Sequence, residues 1–466
     1  MNRNNLFEHI AAADDDLLER SERRRSRRPL WISAVAAALA LVLGLGVFLS
    51  RNMAVTVQAV SLARYPEAVA FPMDPEDPDY PRQYEAWREA ARETRAEPGY
   101  ADSLTPFFQN SIREFLRGPE GNRVYSPLNT YMALAMLSEL TDGETRQELL
   151  TVLGSDTVED LRAQAHTLWN VHYQNDGATE SILASSVWLK NGMEYRKETL
   201  DRLAETFYAS SYVGEMGTPE MDRALREWLD DQTGGLLTEQ TGSLHLDPQT
   251  LLALATTIRF QARWLEEFRP ENTAQGTFHS PQGDVTRDFM HSFDQSHYYW
   301  GEGFGAVGLP LSNDAGTMWL ILPDEGTTPE ALLEGDEIFA FLAQGEHWED
   351  REYLNVNLSL PKFDVSSDLD LGEGLRNLGI TRVFDSEQAD FSPIVEEPMA
   401  LSQAKQAVRV SIDEEGVTAV SYTVLAMAGA GRPPEKTVDF TLDRPFLFAV
   451  TSGDGLPLFA GIVNNP

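Results

Sequence analysis

The order of two hydrophobic patterns along this 466-residue chain predicts an α+β fold. Apolar residues at helical spacing come first, alternating strand-like segments dominate later, and some of each are mixed through. A third observation is the stretch IDEEGVTAVSYTVLAMAGAGRPPE, residues 412–435. It opens acidic, alternates as a strand does, then dissolves into small apolar residues before a double proline. A strand that feeds straight into an exposed apolar loop needs a reason.

SPLNTYMALAMLSEL (126–140) reads as a helix with Ser126 as its cap and Pro127 at its first position. Its apolar residues run all round, as in a buried helix. ETRQELLTVLG (144–154) reads as a second helix that stops at a glycine. TLLALATTIRFQARW (250–264) grades from helix-compatible sequence into a strand. NVNLSLPKF (355–363) and AVRVSI (407–412) alternate as strands. KTVDFTLDRPFLFAVTS and LPLFAGIV close the chain with further strands, and there is no internal repeat.

The N-terminal fifth has a different character. Residues 29–50 carry no charge, and about 20 apolar residues cross a bilayer as a helix. Arg20, Arg23, Arg24, Arg25, Arg27 and Arg28 precede that run, whereas only Arg51 and Arg64 lie close behind it. The charge asymmetry predicts a single-pass signal-anchor with residues 1–28 in the cytoplasm and the remainder in the periplasm or at the cell surface. A cleaved signal peptide is the alternative, and it would secrete the body. Residues 51–99 read as a Pro- and acid-rich stalk with a short exposed helix over 85–97.

Lys plus Arg number 37 against 73 Asp plus Glu, a net charge of −36. Such a surface repels phosphate backbones and sulfated polyanions, so neither nucleic acid nor a heparin-like cofactor is an expected partner. The absence of cysteine excludes disulfides, thiolate chemistry and Cys-based zinc sites. There is no GxSxG elbow, HExxH pair, Walker loop or GxGxxG after a strand. The 8 histidines are scattered, none paired at ligand spacing on one helix. The serines of YSPL and FSPI precede proline, which suits helix or turn starts. Paired acids such as Glu414 and Glu415 read as solvated faces. No metal, small-molecule cofactor or enzymatic site is expected.

Seven segments together resemble one family. NRVYSPLNTYMALAMLSELTDGETRQELLTVLG (122–154) is similar to the early helical segment of serpins, and TTIRFQARWLEEFRPENTAQGTFH (256–279) to their central strand, tryptophan and following loop. LSLPKF (358–363), LGITRVFDSEQADFSPI (378–394), SIDEEG (411–416), DRPFLFAV (443–450) and LFAGIVNNP (458–466) follow in serpin order. The chain resembles a bacterial-type serpin with an N-terminal membrane anchor, its serpin domain spanning about 100–466. The resemblance implies helices packed around a large mixed central β-sheet, two smaller sheets and an exposed reactive-centre loop at about 414–434.

It also implies a mechanism, a suicide-type inhibition of serine endopeptidases by a monomer. The target cleaves the loop, is held as an acyl-enzyme in a covalent complex, and is carried across the body as the loop inserts into the main sheet. At ~3.3 Å per residue, about 14 inserted residues span ~45 Å, the scale of a domain. The family's hinge falls on Glu414, Glu415, Gly416, Val417, Thr418, Ala419, Val420 and Ser421. An inserting strand sends alternate side chains inward. Val417, Ala419, Ser421 and Thr423 form an uncharged face of small or β-branched residues. Thr418, Val420, Tyr422 and Val424 form the other, where Val420 and Tyr422 depart from the small residues common in inhibitory members.

By the spacing that the resemblance implies, counting on from the hinge glycine and back from Pro433–Pro434 both reach Ala430–Gly431 as the reactive bond, with Met427–Ala428 and Ala428–Gly429 as neighbouring alternatives. Arg432 invites a trypsin-like reading, but the proline after it makes that bond a poor substrate. Alanine before the bond suits the shallow pocket of an elastase-like or subtilisin-like protease. Glu414 and Lys362 match a family ion pair at the top of the main sheet, and Trp264 a tryptophan packed there. Lower down, Thr256 and Gln406 stand where members often pair asparagine with histidine, beside Ser126 and Asn129. A non-inhibitory relative (a binding protein, decoy substrate or chaperone) is the alternative function.

Overall fold

Leu252 to Arg263 form one continuous strand, although the sequence divides that stretch between helix-compatible and strand patterns. Thr256, Thr257 and Ile258 are β-branched and favour the extended backbone, and pairing on both sides overrides the helical tendency of LLALA. The computed structural model describes residues 57–417 and 434–466, apart from positions 75, 98, 119, 120 and 243. The chain divides into Met1–Gln58 and Ala59–Pro466, and every strand labelled here lies in the second unit.

The strands, in chain order, are β1 (Arg123–Tyr125), β2 (Glu180–Lys190), β3 (Ala209–Gly214), β4 (Leu252–Arg263), β5 (Thr273–Ser280), β6 (Gly283–Gly301), β7 (Phe304–Pro310), β8 (Thr317–Pro323), β9 (Arg351–Pro361), β10 (Phe363–Asp370), β11 (Lys405–Ile412), β12 (Gly416–Val417), β13 (Thr437–Thr441), β14 (Phe446–Thr451) and β15 (Pro457–Val463). The main sheet contains the path β3-β2-β4-β12-β11-β10, in which only the β3–β2 pair is parallel. The second follows β13-β9-β6-β7-β8-β14-β15-β1, with β5 paired to β6 off that path. The two smaller sheets that the resemblance implied are thus joined through the long strand β6. The α+β serpin architecture, helices around large mixed sheets, is the observed fold.

Pro127–Glu139 is the central helix. Ser126 Oγ accepts from Asn129 N at its start, Pro127 occupies the first turn, and nearly every side chain is buried. It packs on β4 of the main sheet and on β15 of the second, so one helix fills the space between them. Gly143–Leu153 follows and ends at Gly154 in the left-handed conformation, φ 70°, as the glycine predicts.

Residues 59–97 lie against the body rather than standing off as a stalk. Tyr65 stacks on Trp169, Tyr173 and Tyr208, with ring centroids 5.7, 5.6 and 6.1 Å away. Trp87 Nε1 donates to Asp176 at 2.8 Å. The helix here is Tyr80–Glu93, starting earlier than the charge pattern suggests because Pro81 sits in its first turn. Five aromatics in this polar stretch, Tyr65, Phe71, Tyr80, Tyr84 and Trp87, supply the docking surface.

The expected membrane anchor needs correction. No helix among the described residues is long and apolar enough to cross a membrane. The long buried helix Pro127–Glu139 is spent on the protein core. Positions 29–50 and the tail 1–28 lie outside the described residues. The membrane as a partner, the single-pass topology and the compartment that depended on them are therefore not carried forward.

Candidate functional site

Asp413, Glu414 and Glu415 make the turn between β11 and β12, and all three of their carbonyls accept hydrogen bonds. Asp413 Oδ1 accepts from the N–H groups of Glu415 at 2.9 Å and Gly416 at 3.2 Å, the local turn that a short acidic side chain favours. The three turn carbonyls are held from one neighbouring segment. Trp264 Nε1 donates to Asp413 O at 2.8 Å, Phe268 N to Glu414 O at 3.0 Å, and Trp264 N to Glu415 O at 3.1 Å. Trp264 is thus a fastening for this turn as well as a packed core residue, 3% exposed.

The Glu414 carboxylate is fastened separately. Lys362 Nζ lies 2.6 Å from one oxygen and Thr273 Oγ1 donates to the other at 2.7 Å. Burial works against its charge, but the hydrogen bonds from Lys362 and Thr273 outweigh that and hold the carboxyl below its usual range. Lys362 itself is fixed through its backbone N–H to Asp288 O at 2.9 Å.

Past the turn, Gly416 and Val417 enter the main sheet between β4 and β11. Val417 pairs with Ile412 on one side and Ala262 on the other, and Gly416 with Arg263, antiparallel throughout. The two central strands are therefore neighbours in the sheet by way of these two residues. A Cβ on Gly416 would sit 2.3 Å from Ala262 O and 2.7 Å from Arg263 Cα, so only glycine fits so close to the β4 backbone. Val417 is 2% exposed and points into the core. Thr418, Ala419, Val420, Ser421 and the expected reactive bond Ala430–Gly431 lie outside the described residues.

A second cluster lies where Pro127–Glu139 begins. Gln406, on β11, accepts from Ser126 N at 2.8 Å and donates through Nε2 to Ser126 O and Thr130 Oγ1, both at 2.9 Å. Ser126 Oγ donates to Leu458 O at 2.8 Å. Asn129 Nδ2 donates to the Thr256 carbonyl at 3.3 Å, so this helix end is tied to both central strands. The side chain of Gln406 faces Ser126 and Thr130, not Thr256, and Thr256 takes part through its backbone.

Sequence reasoning did not find Asp413, Thr273, Phe268 or Thr130. An aspartate three residues before a glycine was a readable turn signal for Asp413. Nothing local marks Thr273, which reaches Glu414 across 141 positions.

A family model described as Serpin (serine protease inhibitor) matches residues 105–466. The chain is 27% identical to Serpin-Z2B of Triticum aestivum over 364 residues, 74% of this chain and 90% of that protein. It is 28% identical to plasminogen activator inhibitor 1 of Bos taurus over 372 residues, 77% of this chain and 90% of that one. Among solved structures, the thermophilic serpin tengpin in its native state superimposes with a TM-score of 0.71 at 23% identity. That match covers 80% of this chain and 95% of tengpin, a likeness of fold. Serpin folds typically serve non-catalytic inhibitors, in keeping with the reading that this protein is not an enzyme. With the match extending over most of its length, the chain belongs to the serpin family, whose family model carries the description serine protease inhibitor.

Proposed function

We propose that this chain is a suicide-type inhibitor of serine endopeptidases, cleaved between Ala430 and Gly431 by elastase-like or subtilisin-like targets. Family and fold support the general serpin mechanism. The observation that carries the specific reading is the position of Gly416–Val417, antiparallel to both central strands. Continuing that register would set Thr418, Ala419, Val420 and Ser421 opposite Gln261, Phe260, Arg259 and Ile258. Cross-strand partners share a face, so Ala419 and Ser421 would follow Val417 inward while Val420 turns outward with Arg259. β4 has 12 residues, and the same register exhausts it at Met427 opposite Leu252. A protease acylated on Ala430 would then be drawn past the end of the strand, a path of ~40 Å.

The hydrogen bonds of Gln406 favour a second reading. They tie β11 to the central helix, and a sheet slow to part leaves time for the acyl-enzyme to hydrolyse, which makes a decoy substrate. Mixing the full chain with an elastase or a subtilisin and running a denaturing gel separates the two. A complex that survives denaturation, with a released peptide beginning at Gly431, is the expected result. Clean cleavage with no complex would leave the decoy.

A further inference from the structure

The outer face of the second sheet carries large apolar side chains at the point where the chain returns from the loop. On β9, Leu354, Val356 and Leu358 are buried, so the alternate positions face solvent and ordinarily carry polar residues. Asn355 and Asn357 conform, but Tyr353 is 49% exposed and Phe293, opposite Asn357 on β6, is 62% exposed. His297 stands opposite Tyr353 with ring centroids 5.3 Å apart, edge to face. No inner-face packing explains these aromatics.

Their placement does. Asn355 lies in the row between them and holds the returning chain, its Nδ2 donating to Pro434 O at 3.0 Å and to Lys436 O at 3.3 Å. Lys436 Nζ adds an ion pair to Glu352 at 2.7 Å. Rows on one face of a strand repeat every ~7 Å, so both aromatic rows are one step from this anchor. Only Arg432 and Pro433 separate Gly431 from Pro434. Whatever course those residues take, covalent geometry keeps the reactive bond within about 11 Å of Pro434. A folded protease has a radius of gyration above about 13 Å, so one that grips this bond must press its rim on the surface around Asn355. Aromatics ringed by Asn355, Asn357, Gln295 and Thr437 have the make-up of a contact patch, apolar centre and polar margin.

We infer that the face formed by Phe293, His297 and Tyr353 is a second contact surface for the protease engaged on the loop, and that it speeds the encounter. It rests on the reading of Ala430–Gly431 as the reactive bond. The test compares the full chain with Phe293→Ala, Tyr353→Ala and the double variant against an elastase and a subtilisin. All are exposed positions, and thermal unfolding checks that each variant is folded. The association rate constant of the double variant should fall about tenfold, as for loss of an interface anchor. The partition between complex and cleaved chain should not move, since nothing in the sheet is altered, and Tyr353→Phe should keep the wild-type rate. Equal rates for wild type and double variant overturn the inference. Equal rates with a wild type that sediments as a dimer and a variant that does not would overturn it in favour of self-association. If neither chain is cut at Ala430–Gly431, the reading of the loop itself falls, and the wild type alone reveals that.

Discussion

Lys362 Nζ and Glu414 Oε2 meet at 2.6 Å, and through them the junction between β9 and β10 is pinned to the turn between β11 and β12. The Glu414 carboxyl is held below its usual range, so the sign of its pH dependence is fixed. A group with a depressed folded pKa contributes stability above its unfolded value, and the contribution is lost as pH falls through the folded value. Glu414→Gln should therefore lower stability by about 1 kcal/mol at pH 7. As the pH falls from the usual carboxylate range through the lower folded value, the wild type protonates as well and the gap should close. Urea unfolding of both chains at pH 7 and pH 3 measures this.

Gly416→Ala places a methyl group 2.3 Å from the Ala262 carbonyl oxygen, an atom of β4 backbone that cannot rotate away. Overpacking of this kind costs about 1–3 kcal/mol, concentrated where insertion begins. More target molecules should be released per inhibitor consumed, and the fraction of cleaved, uncomplexed chain on a denaturing gel should rise. An unchanged stoichiometry of inhibition would mean that the close approach does not persist during insertion.

Gln406 is 4% exposed, and its amide satisfies both backbone groups of Ser126. Gln406→Leu keeps the bulk but strands a buried N–H and a carbonyl, which costs about 1–3 kcal/mol per group left unpaired. A lowered urea midpoint with an unaltered slope is the expected outcome. Gln406→Glu, which still accepts from Ser126 N, should lose less at a pH where it is protonated and can donate.

Ser421→Glu and Val420→Glu test the register. Continuation from Val417 sends residue 421 into the core and residue 420 outward. A buried unpaired charge is costly enough to stop a strand from entering. The Ser421 variant should become a substrate, cleaved at the wild-type rate without trapping, while the Val420 variant keeps complex formation. The reverse pattern would shift the register by one residue.

Much of this was legible because it is local. Ser126 and Pro127 announce a helix start, and Gly154 a helix end. The partners of these elements were less legible. Thr273 and Glu414 are brought together by sheet topology, and no pattern near either residue signals it. Gln406 and Thr256 stand where the family pairs two side chains, yet the Gln406 amide bonds to Ser126 and Thr130, because a family pattern says nothing of which way an amide points. The stretch 51–99 reads as a stalk by its proline and acid content, but five aromatics dispersed over 59–97 give that part a face to pack with. Apolar pattern over 29–50 describes a span, but the described body carries no helix of that kind.

The central claim is that Gly416–Val417 is the beginning of a strand completed only after the loop is cut. The most direct measurement is the thermal unfolding midpoint of the intact chain and of the chain cleaved at Ala430–Gly431. Completing the ladder along β4 and β11 should raise the midpoint by more than about 10 °C, several kcal/mol at roughly 2–4 °C per kcal/mol. An unchanged or lower midpoint after cleavage would contradict the claim and leave the hinge as the end of an ordinary hairpin.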